Sequence, residues 1–441
     1  MLGEISLGLS PTAPFVIARN LSTTYCSSPE ASFGSSNTFT VQIASSTQWL
    51  DPLTHQITFN VVNNSPNQPL QFASSNPMTL FQRYELRLGG IIIEDIFNCD
   101  RLANLLNIYE STEKRLTTAN LGFGTQEGMV SATGNNPQPV GPQLFESNKH
   151  KTVKIEGGQS KRVCMTVNIS GLLNQFRWIP LWAVNGPLEI RFTLQDPTHC
   201  TVLRNATTGS DNQSQNYKLT DIALHASLCT LDSELQAKYF ASVAAGESLL
   251  MHITNWSHNQ LFISPSGTGD TNAVLARPLS RLDTICTSFA PELTADELAR
   301  GINYATLFWA SDNATNNNQE KFEIQYQLGP SRYPDAPIVG YSQVYFRDLE
   351  ALGIKNSGSH SLGVDYDSFR SVHFASLLDV SKVPGVRASG QNMAGGQEFR
   401  VSVRNFAGDT TSGTRICNRV YCALLYDCFI EIRGGSITKL D

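Results

Sequence analysis

LTDIALHASLCTLDSELQAKYFASVAAGESLLMHI, residues Leu219–Ile253, lies near the middle of the 441-residue chain. Ile222, Leu224, Ala226 and Leu228 alternate with polar or small neighbours from Asp221 to Thr230, which is the period of a half-buried strand. Leu235, Tyr239 and Val243 then recur every four residues, a helical spacing. Gly246 ends the helix, and Leu249, Met251 and Ile253 start a new alternation. A strand closes one β unit, a helix crosses over, and a strand opens another of similar size. Two comparable β domains in tandem are expected.

Working outward, strand signals crowd both halves. Phe39/Val41/Ile43, Ile57/Phe59/Val61 and Tyr84/Leu86/Leu88 alternate, and Gly89-Gly90 separates the last from the apolar run Ile91 to Ile96. Val153 to Ile155, Val163 to Ile169 and Leu188 to Leu194 follow, then Leu249–Ile253, Phe322–Leu328, Phe399–Val403 and Val420–Ile432. Leu102, Leu105, Leu106 and Tyr109 predict an amphipathic helix, with Asn98 or Asp100 available as its N-cap. Further helices are expected at Ala295–Gly301 and Phe346–Leu352. Many short strands with few helices indicate packed sandwiches. Residues 1–36, rich in Gly, Ser, Pro and Thr, read as an extended arm. Thr117–Leu144, His199–Asn216, Asn255–Thr271 and Ser311–Gln319 read as long, turn-rich and sparsely charged surface loops, with Phe123, Met129, Leu261, Phe262 and Ile263 as anchors.

Composition narrows the function. Only 16% of residues are charged, against an ordinary share of about 25%. Neutral polar groups cost less to desolvate than ions, so this surface suits burial against neighbours. The net charge is −6 and no Lys/Arg run occurs, so tight direct nucleic-acid binding is not expected. The nine cysteines are odd in number, scattered and without CxxC spacing, and Cys417, Cys422 and Cys428 have no accompanying histidine at ligand spacing. They read as reduced, buried thiols of a chain that folds in a reducing compartment. No secretory signal is apparent, and no apolar run approaches the ~20 residues of a membrane span.

No catalytic constellation emerges. The eight histidines form no HxH or HExxH pair, and His225 and His252 read as surface groups on the polar side of strands. GxSxG and GxxxxGK[ST] motifs are missing. The glycine pairs at 89–90, 157–158, 395–396 and 434–435 sit at strand ends, as hairpin turns do. Glu94-Asp95 is the best acidic pair, but neighbours on a strand point to opposite faces and cannot flank one bond. No catalytic, cofactor-binding or metal-ligating residue is therefore nominated, and no cofactor is expected.

Several stretches carry a resemblance when taken in order. They are YELRLGGIIIEDIFNCDRLANLL (Tyr84–Leu106), the central junction, LSRLDTICTSF (Leu279–Phe289), FEIQYQLGPSRYPDAPI (Phe322–Ile338), FASLLDVSKVPGVRASGQNMAGGQEFRVSV (Phe374–Val403) and the terminal YCALLYDCFIEIRGGSITKL. The chain resembles the double jelly-roll major capsid proteins of the adenovirus–PRD1-like lineage, in particular those of Polinton-like viruses, virophages and adintovirus-type elements. That resemblance implies an all-β fold of two tandem eight-stranded jelly-roll sandwiches with a few short helices. It places the first roll at 37–232 and the second at 233–441, with 233–246 as the linking helix. It also implies a non-enzymatic virion protein that forms homotrimeric, pseudo-hexameric capsomers and tiles an icosahedral shell of a DNA virus. Neighbouring capsomers, a single jelly-roll penton protein and minor or cement proteins are the implied partners. A tandem jelly-roll carbohydrate- or receptor-binding virion protein is the alternative. It calls for an exposed aromatic cluster, with Trp178, Trp182 and Trp256 as the residues to watch.

Overall fold

The computed structural model describes residues 15–26, 31–111, 124–125, 151–152, 154–204, 210–263, 271–308, 322–355, 364, 366, 369, 373–383, 389–393, 398–405 and 417–441. Eight main strands build the first half: β1 (Val16–Tyr25), β2 (Thr38–Ile43), β3 (Trp49–Asn63), β4 (Phe81–Leu88), β5 (Ile91–Phe97), β6 (Ser160–Met165), β7 (Leu188–Leu194) and β8 (Tyr217–Leu231). They form two facing antiparallel sheets, ordered β1-β8-β3-β6 and β2-β7-β4-β5. The helix α1 (Cys99–Tyr109) follows β5, and α2 (Ser233–Ala244) leads out of the half.

The second half repeats the plan with β9 (Leu249–Phe262), β10 (Thr271–Leu275), β11 (Leu282–Pro291), β12 (Glu323–Leu328), β13 (Ser331–Val339), β14 (Ala375–Asp379), β15 (Phe399–Arg404) and β16 (Cys417–Arg433). Its sheets run β9-β16-β11-β14 and β10-β15-β12-β13. Adding eight to each strand number of the first half reproduces this order, which is the jelly-roll order in both. The helices repeat less fully: α3 (Ala295–Ala299) stands between β11 and β12 where the first half has a 3-10 turn (Pro77–Leu80) between β3 and β4, whereas α4 (Gly340–Ala351) follows β13 as α1 follows β5. A last strand, β17 (Ser436–Leu440), pairs with the end of β16.

Each sandwich closes over inward-facing apolar residues. In the first, Phe39, Phe59, Phe81, Tyr84 and Phe192 are fully buried, with the Phe81 and Phe192 rings 4.6 Å apart. Phe289, Phe322, Tyr341 and Phe374 play that part in the second. Burying such a side chain stabilises the fold by about 1.5–3 kcal/mol. The two-glycine loops expected as hairpins are so at two sites: Leu88 pairs with Ile91 and Arg433 with Ser436. Gly89 and Gly90 (φ 55° and 83°), like Gly434 and Gly435 (φ 56° and 81°), are left-handed at both central positions, as a type I′ turn requires. Gly395-Gly396 lies outside the described residues.

Several expectations need correction. The arm expected through Ser36 is, from Val16 to Tyr25, an edge strand paired along β8. The loop expected from Asn255 to Thr271 is strand as far as Phe262, and Phe262 is 72% exposed rather than an anchor. The α4 helix begins at Gly340, six residues before the expected Phe346. Asn98 holds the N-cap position of α1 but is left-handed (φ 48°) and makes no side-chain cap. The short helix Pro197–Cys200 and an Arg204–Asp211 bridge give structure to the loop expected at His199–Asn216. Thr117–Leu144, apart from Gly124–Thr125, and Ser311–Gln319 lie outside the described residues.

The alternating strand directions sort the connections by end. The connections after β1, β3, β5 and β7 leave the sheets and return to them at one end of the first roll. Those after β2, β4 and β6 (44–48, 89–90 and 166–187) lie at the other. The second roll repeats this, with the connections after β9, β11, β13 and β15 leaving and rejoining the sheets at one end and those after β10, β12 and β14 at the other. Counted along the sequence, most connecting residues belong to the first of these ends, although 166–187 and 380–398 are long connections at the other.

Candidate assembly interface

The rolls are joined by a buried polar seam whose centre is Arg101 on α1. Its side chain is among the most completely buried of any size in the chain, with 1% of the residue exposed. All its hydrogen-bond partners belong to the second roll. Nη1 donates to the carbonyls of Tyr304 and Leu307 (2.6 Å to the latter). Nη2 donates to Ser288 Oγ (3.0 Å) and the Phe289 carbonyl (3.2 Å), and Nε to Ser288 Oγ (3.2 Å). These contacts occupy the five N–H donors of a guanidinium. The Phe308 and Tyr421 rings lie 4.5 and 4.1 Å from its central carbon, as cation–π partners. Burial lowers its pKa to about 10, so it is cationic at neutral pH.

Other α1 side chains reach across in the same direction. Asn104 Nδ2 donates to the Ala305 carbonyl (2.8 Å). The Tyr109 hydroxyl donates to Asp348 Oδ2 of α4 (3.3 Å), so the two corresponding helices meet. Burial pushes the Asp348 carboxyl well above its ordinary range. At the loop-rich end, Leu203 and Arg204 donate their N–H groups to the Ala299 carbonyl (2.8 and 2.7 Å), and Arg204 pairs with Asp296.

Along the strands, β9 caps the free edge of β5 with side chains rather than a ladder. Asn255 Nδ2 donates to the Ile93 carbonyl (3.2 Å), and His258 Nδ1 to the Phe97 carbonyl (2.9 Å). Asn98 Nδ2 reaches Gln260 Oε1 (3.3 Å), which is where the expected N-cap side chain goes. Gly171 meets β9 so closely that a Cβ there would stand 1.9 Å from the Thr254 carbonyl oxygen. At the other end, Asn185 N–H donates to the Gly435 carbonyl (3.1 Å). Neutral amides and carbonyls dominate, consistent with the low charge content.

The seam also holds ionisable groups with opposite pH responses. Burial lowers His258 from 6.5 to about 4, with Arg101 adding repulsion, while the Phe97 and Asn98 backbones oppose the shift. The ring also stacks on Tyr421. The unfolded chain takes up this proton near 6.5 and the folded chain only near 4. The stability contributed by His258 is therefore complete above pH 6.5 and lost as pH falls toward 4. Asp100, raised by burial from 3.8 to about 6, behaves oppositely: its contribution is complete below 3.8 and lost as pH rises through 6. Replacing the histidine separates the two. His258→Gln should reduce the drop in melting temperature between about pH 7.5 and about pH 4.5 by about 4 °C. An unchanged drop, measured by circular dichroism, would show that His258 does not set the acid response.

The residues weighed for chemistry stay apart. Glu94 is buried and accepts the Leu172 N–H (2.7 Å), whereas Asp95, on the other side of β5, pairs with Arg83 (2.8 Å). His225 is half-buried between Thr23 Oγ1 and Thr58 Oγ1, both 2.9 Å away. His252, expected at the surface, has a side chain only 10% exposed, with Nε2 3.1 Å from Asp427 Oδ1. Trp182 packs on Trp49 and Phe240, while Trp178 and Trp256 are half-buried against the hydrophobic clusters. These three tryptophans form no exposed aromatic platform. No disulfide joins the nine cysteines among the described residues, and eight of them are buried.

Solved structures share this architecture over nearly the whole chain. The quasi-atomic model of the PBCV-1 virus capsid is 13% identical with a TM-score of 0.59, covering 98% of each chain. The Faustovirus major capsid protein is 10% identical with a TM-score of 0.55, covering 97% of this chain and 92% of its own. The Sputnik virophage structure determined by cryo-electron microscopy is 10% identical with a TM-score of 0.54, covering 99% of this chain and 91% of its own. No family model matches the chain, and no curated protein matches it. The fold is the double jelly roll of these viral coats.

Proposed function

We propose that this chain is the major capsid protein of an icosahedral virus. In that reading it trimerises into pseudo-hexameric capsomers that tile the shell, and its place is the virion. The observation that carries this is the duplicated strand order in one chain, with the two rolls locked by a buried seam. Two similar rolls held rigidly supply one third of a six-roll tile, and three copies close it by heterologous contacts. The likeness to viral capsid structures over at least 97% of the chain supports the same role.

Within the reading, the division into rolls falls at α2, and the strands stand across the shell with the loop-rich end outward. Neighbouring capsomers, a single jelly-roll penton protein and cement proteins are the partners. The lack of any Lys/Arg run speaks against a direct grip on the genome. Nine cysteines without a disulfide among the described residues favour folding in a reducing host compartment, cytoplasm or nucleus. The work proposed is burial of apolar and neutral polar surface between copies, without catalysis. The carbohydrate-binding alternative loses ground because its three tryptophans are packed rather than displayed.

Light scattering with negative-stain imaging of the purified chain tests the proposal. A particle of three times 48.4 kDa with a hexagonal outline is expected. A monomer at every concentration and salt condition that also binds glycans would favour the alternative.

A further inference from the structure

The chain contains a single Asn-Gly pair, Asn185-Gly186. It forms the turn that carries the chain from the short helix Leu181–Ala183 into β7. Gly186 has φ 137°, and a Cβ there would stand 3.1 Å from the Gly89 Cα, so glycine is what the position demands. On the other side, a Cβ on Gly435 would stand 2.5 Å from Asn185 Nδ2. Backbone hydrogen bonds tie this turn to both hairpins. Asn185 N–H donates to the Gly435 carbonyl of the second roll, and Gly89 N–H donates to the Pro187 carbonyl, each at 3.1 Å. The joint between the rolls at this end therefore fixes a glycine after Asn185.

A glycine nitrogen has no side chain to shield it, and here it lies next to a carboxamide that nothing restrains. Asn185 and Gly186 are both exposed, so water and hydroxide reach them. Among the described residues no hydrogen bond holds the Asn185 side-chain amide. Asn64, also exposed and followed by Ser65, instead donates its Nδ2 to Asn216 Oδ1 (3.4 Å). The Gly186 N–H donates to the Val184 carbonyl (3.0 Å), two residues back. That is the single bond of a γ-turn, and opening it frees the nitrogen.

We propose that Asn185-Gly186 is a self-modification site that loosens the joint between the rolls as the protein ages. When the γ-turn opens, the Gly186 nitrogen gives its proton to hydroxide and attacks Asn185 Cγ. The new N–Cγ bond closes a five-membered imide. The Cγ–Nδ2 bond breaks, and Nδ2 leaves as ammonia with a proton taken from water. A water molecule then opens the imide at either carbonyl, giving aspartate or isoaspartate at position 185. The net reaction consumes one water and releases one ammonia, with no change of oxidation state.

The isoaspartyl product has the larger effect, because Cβ enters the main chain and lengthens it by one carbon. The close approach of Gly186 to Gly89 leaves no space for that carbon. Either the Asn185–Gly435 or the Gly89–Pro187 hydrogen bond must then be given up. Both products also place a carboxylate beside the Gly435 carbonyl, and like partial charges repel. The bonds of Arg101 are untouched, so the rolls part first at the end that carries the Gly89-Gly90 hairpin.

The test ages the purified full chain in mildly alkaline buffer at body temperature. Peptide mapping by mass spectrometry follows each asparagine, and an isoaspartate-specific methyltransferase marks the isomer. Conversion at Asn185 is expected to run about tenfold faster than at Asn64. The modified fraction, separated by its added charge, should exchange the amide hydrogens of the Asn185 turn about tenfold faster than fresh protein. A parallel sample unfolded in urea confirms that the chemistry runs. Conversion in urea with Asn185 no faster than Asn64 in the folded chain would overturn the site. Fast conversion with unchanged exchange would overturn the loosening. Asn185→Gln, whose longer side chain closes a ring far more slowly, should age without change in exchange at this turn. Equal loosening in that variant would also overturn the proposal, and the wild-type comparison decides whether or not the variant folds.

Discussion

Arg101→Ala should split the unfolding of this chain into two transitions. In the wild type the buried guanidinium ties α1 of the first roll to Ser288, Phe289, Tyr304 and Leu307 of the second. Alanine leaves three carbonyls and a hydroxyl in a buried seam without that donor, and opens a space between the Phe308 and Tyr421 rings. Each stranded polar group costs about 1–3 kcal/mol, partly relieved by relaxation or entry of water. The guanidinium itself no longer has to be desolvated, which offsets some of the loss. A net destabilisation of about 4 kcal/mol is expected, concentrated at the seam rather than inside either sandwich. Scanning calorimetry should show one main transition for the wild type and two for the variant. Arg101→Lys keeps a charge but not the planar five-donor fork, so it should fall between them. A single transition at the wild-type temperature in Arg101→Ala would mean that the seam does not couple the rolls.

Gly171→Ala should be nearly as damaging for the opposite reason. Its Cβ would lie 1.9 Å from the Thr254 carbonyl oxygen, 2.8 Å from the Thr254 carbonyl carbon and 2.7 Å from Asn255 Oδ1. The Thr254 atoms are backbone in the middle of β9, which is paired along its length with β16 and cannot yield locally. The rolls must separate by an ångström or more, straining the Asn255–Ile93 contact next to it. A cost of about 3 kcal/mol is expected. Gly34→Ala, where a Cβ meets nothing within 4 Å, should stay within about 0.5 kcal/mol of the wild type. Urea denaturation measures both, and a Gly171→Ala midpoint equal to that of Gly34→Ala would refute the close-contact argument.

These two residues also show where a linear reading stops. The strands that face a core on one side were legible because burial imposes period two: Leu188–Leu194 runs over the expected residues, and Phe399–Arg404 extends expectation by one. The helices at α1 and α2 were legible for the corresponding reason. Edge and seam strands were not. In β1, the sequence VIARNLSTTY meets no continuous core and shows no strong alternation. Two prolines disguise β13, although an open edge tolerates them. The second half of β9 reads as loop because Asn255, His258 and Gln260 face a neighbouring roll, and polar side chains are what that seam uses. Arg101 had a fainter signal. Besides Asp100 it is the only charged residue in CDRLANLLNIY, and a helix lacking a charged face is one covered on more than one side.

The jelly-roll order also sets a timetable for synthesis. The first strand of each roll pairs with its last: Val16 lies opposite Leu231, and Leu249 opposite Ile432. Neither sandwich can complete its outer sheet until its final strand has left the ribosome, and contacts so distant in sequence form slowly. The first roll can finish while the second is still being made. In that interval α1 has no second roll over it, and the Arg101 guanidinium sits in water, where its charge costs nothing. The seam then closes last, when the second roll supplies carbonyls and rings to receive that charge. A nascent chain stalled after α2 would thus expose the side of α1 destined for the seam, a natural recognition surface for a chaperone until translation resumes.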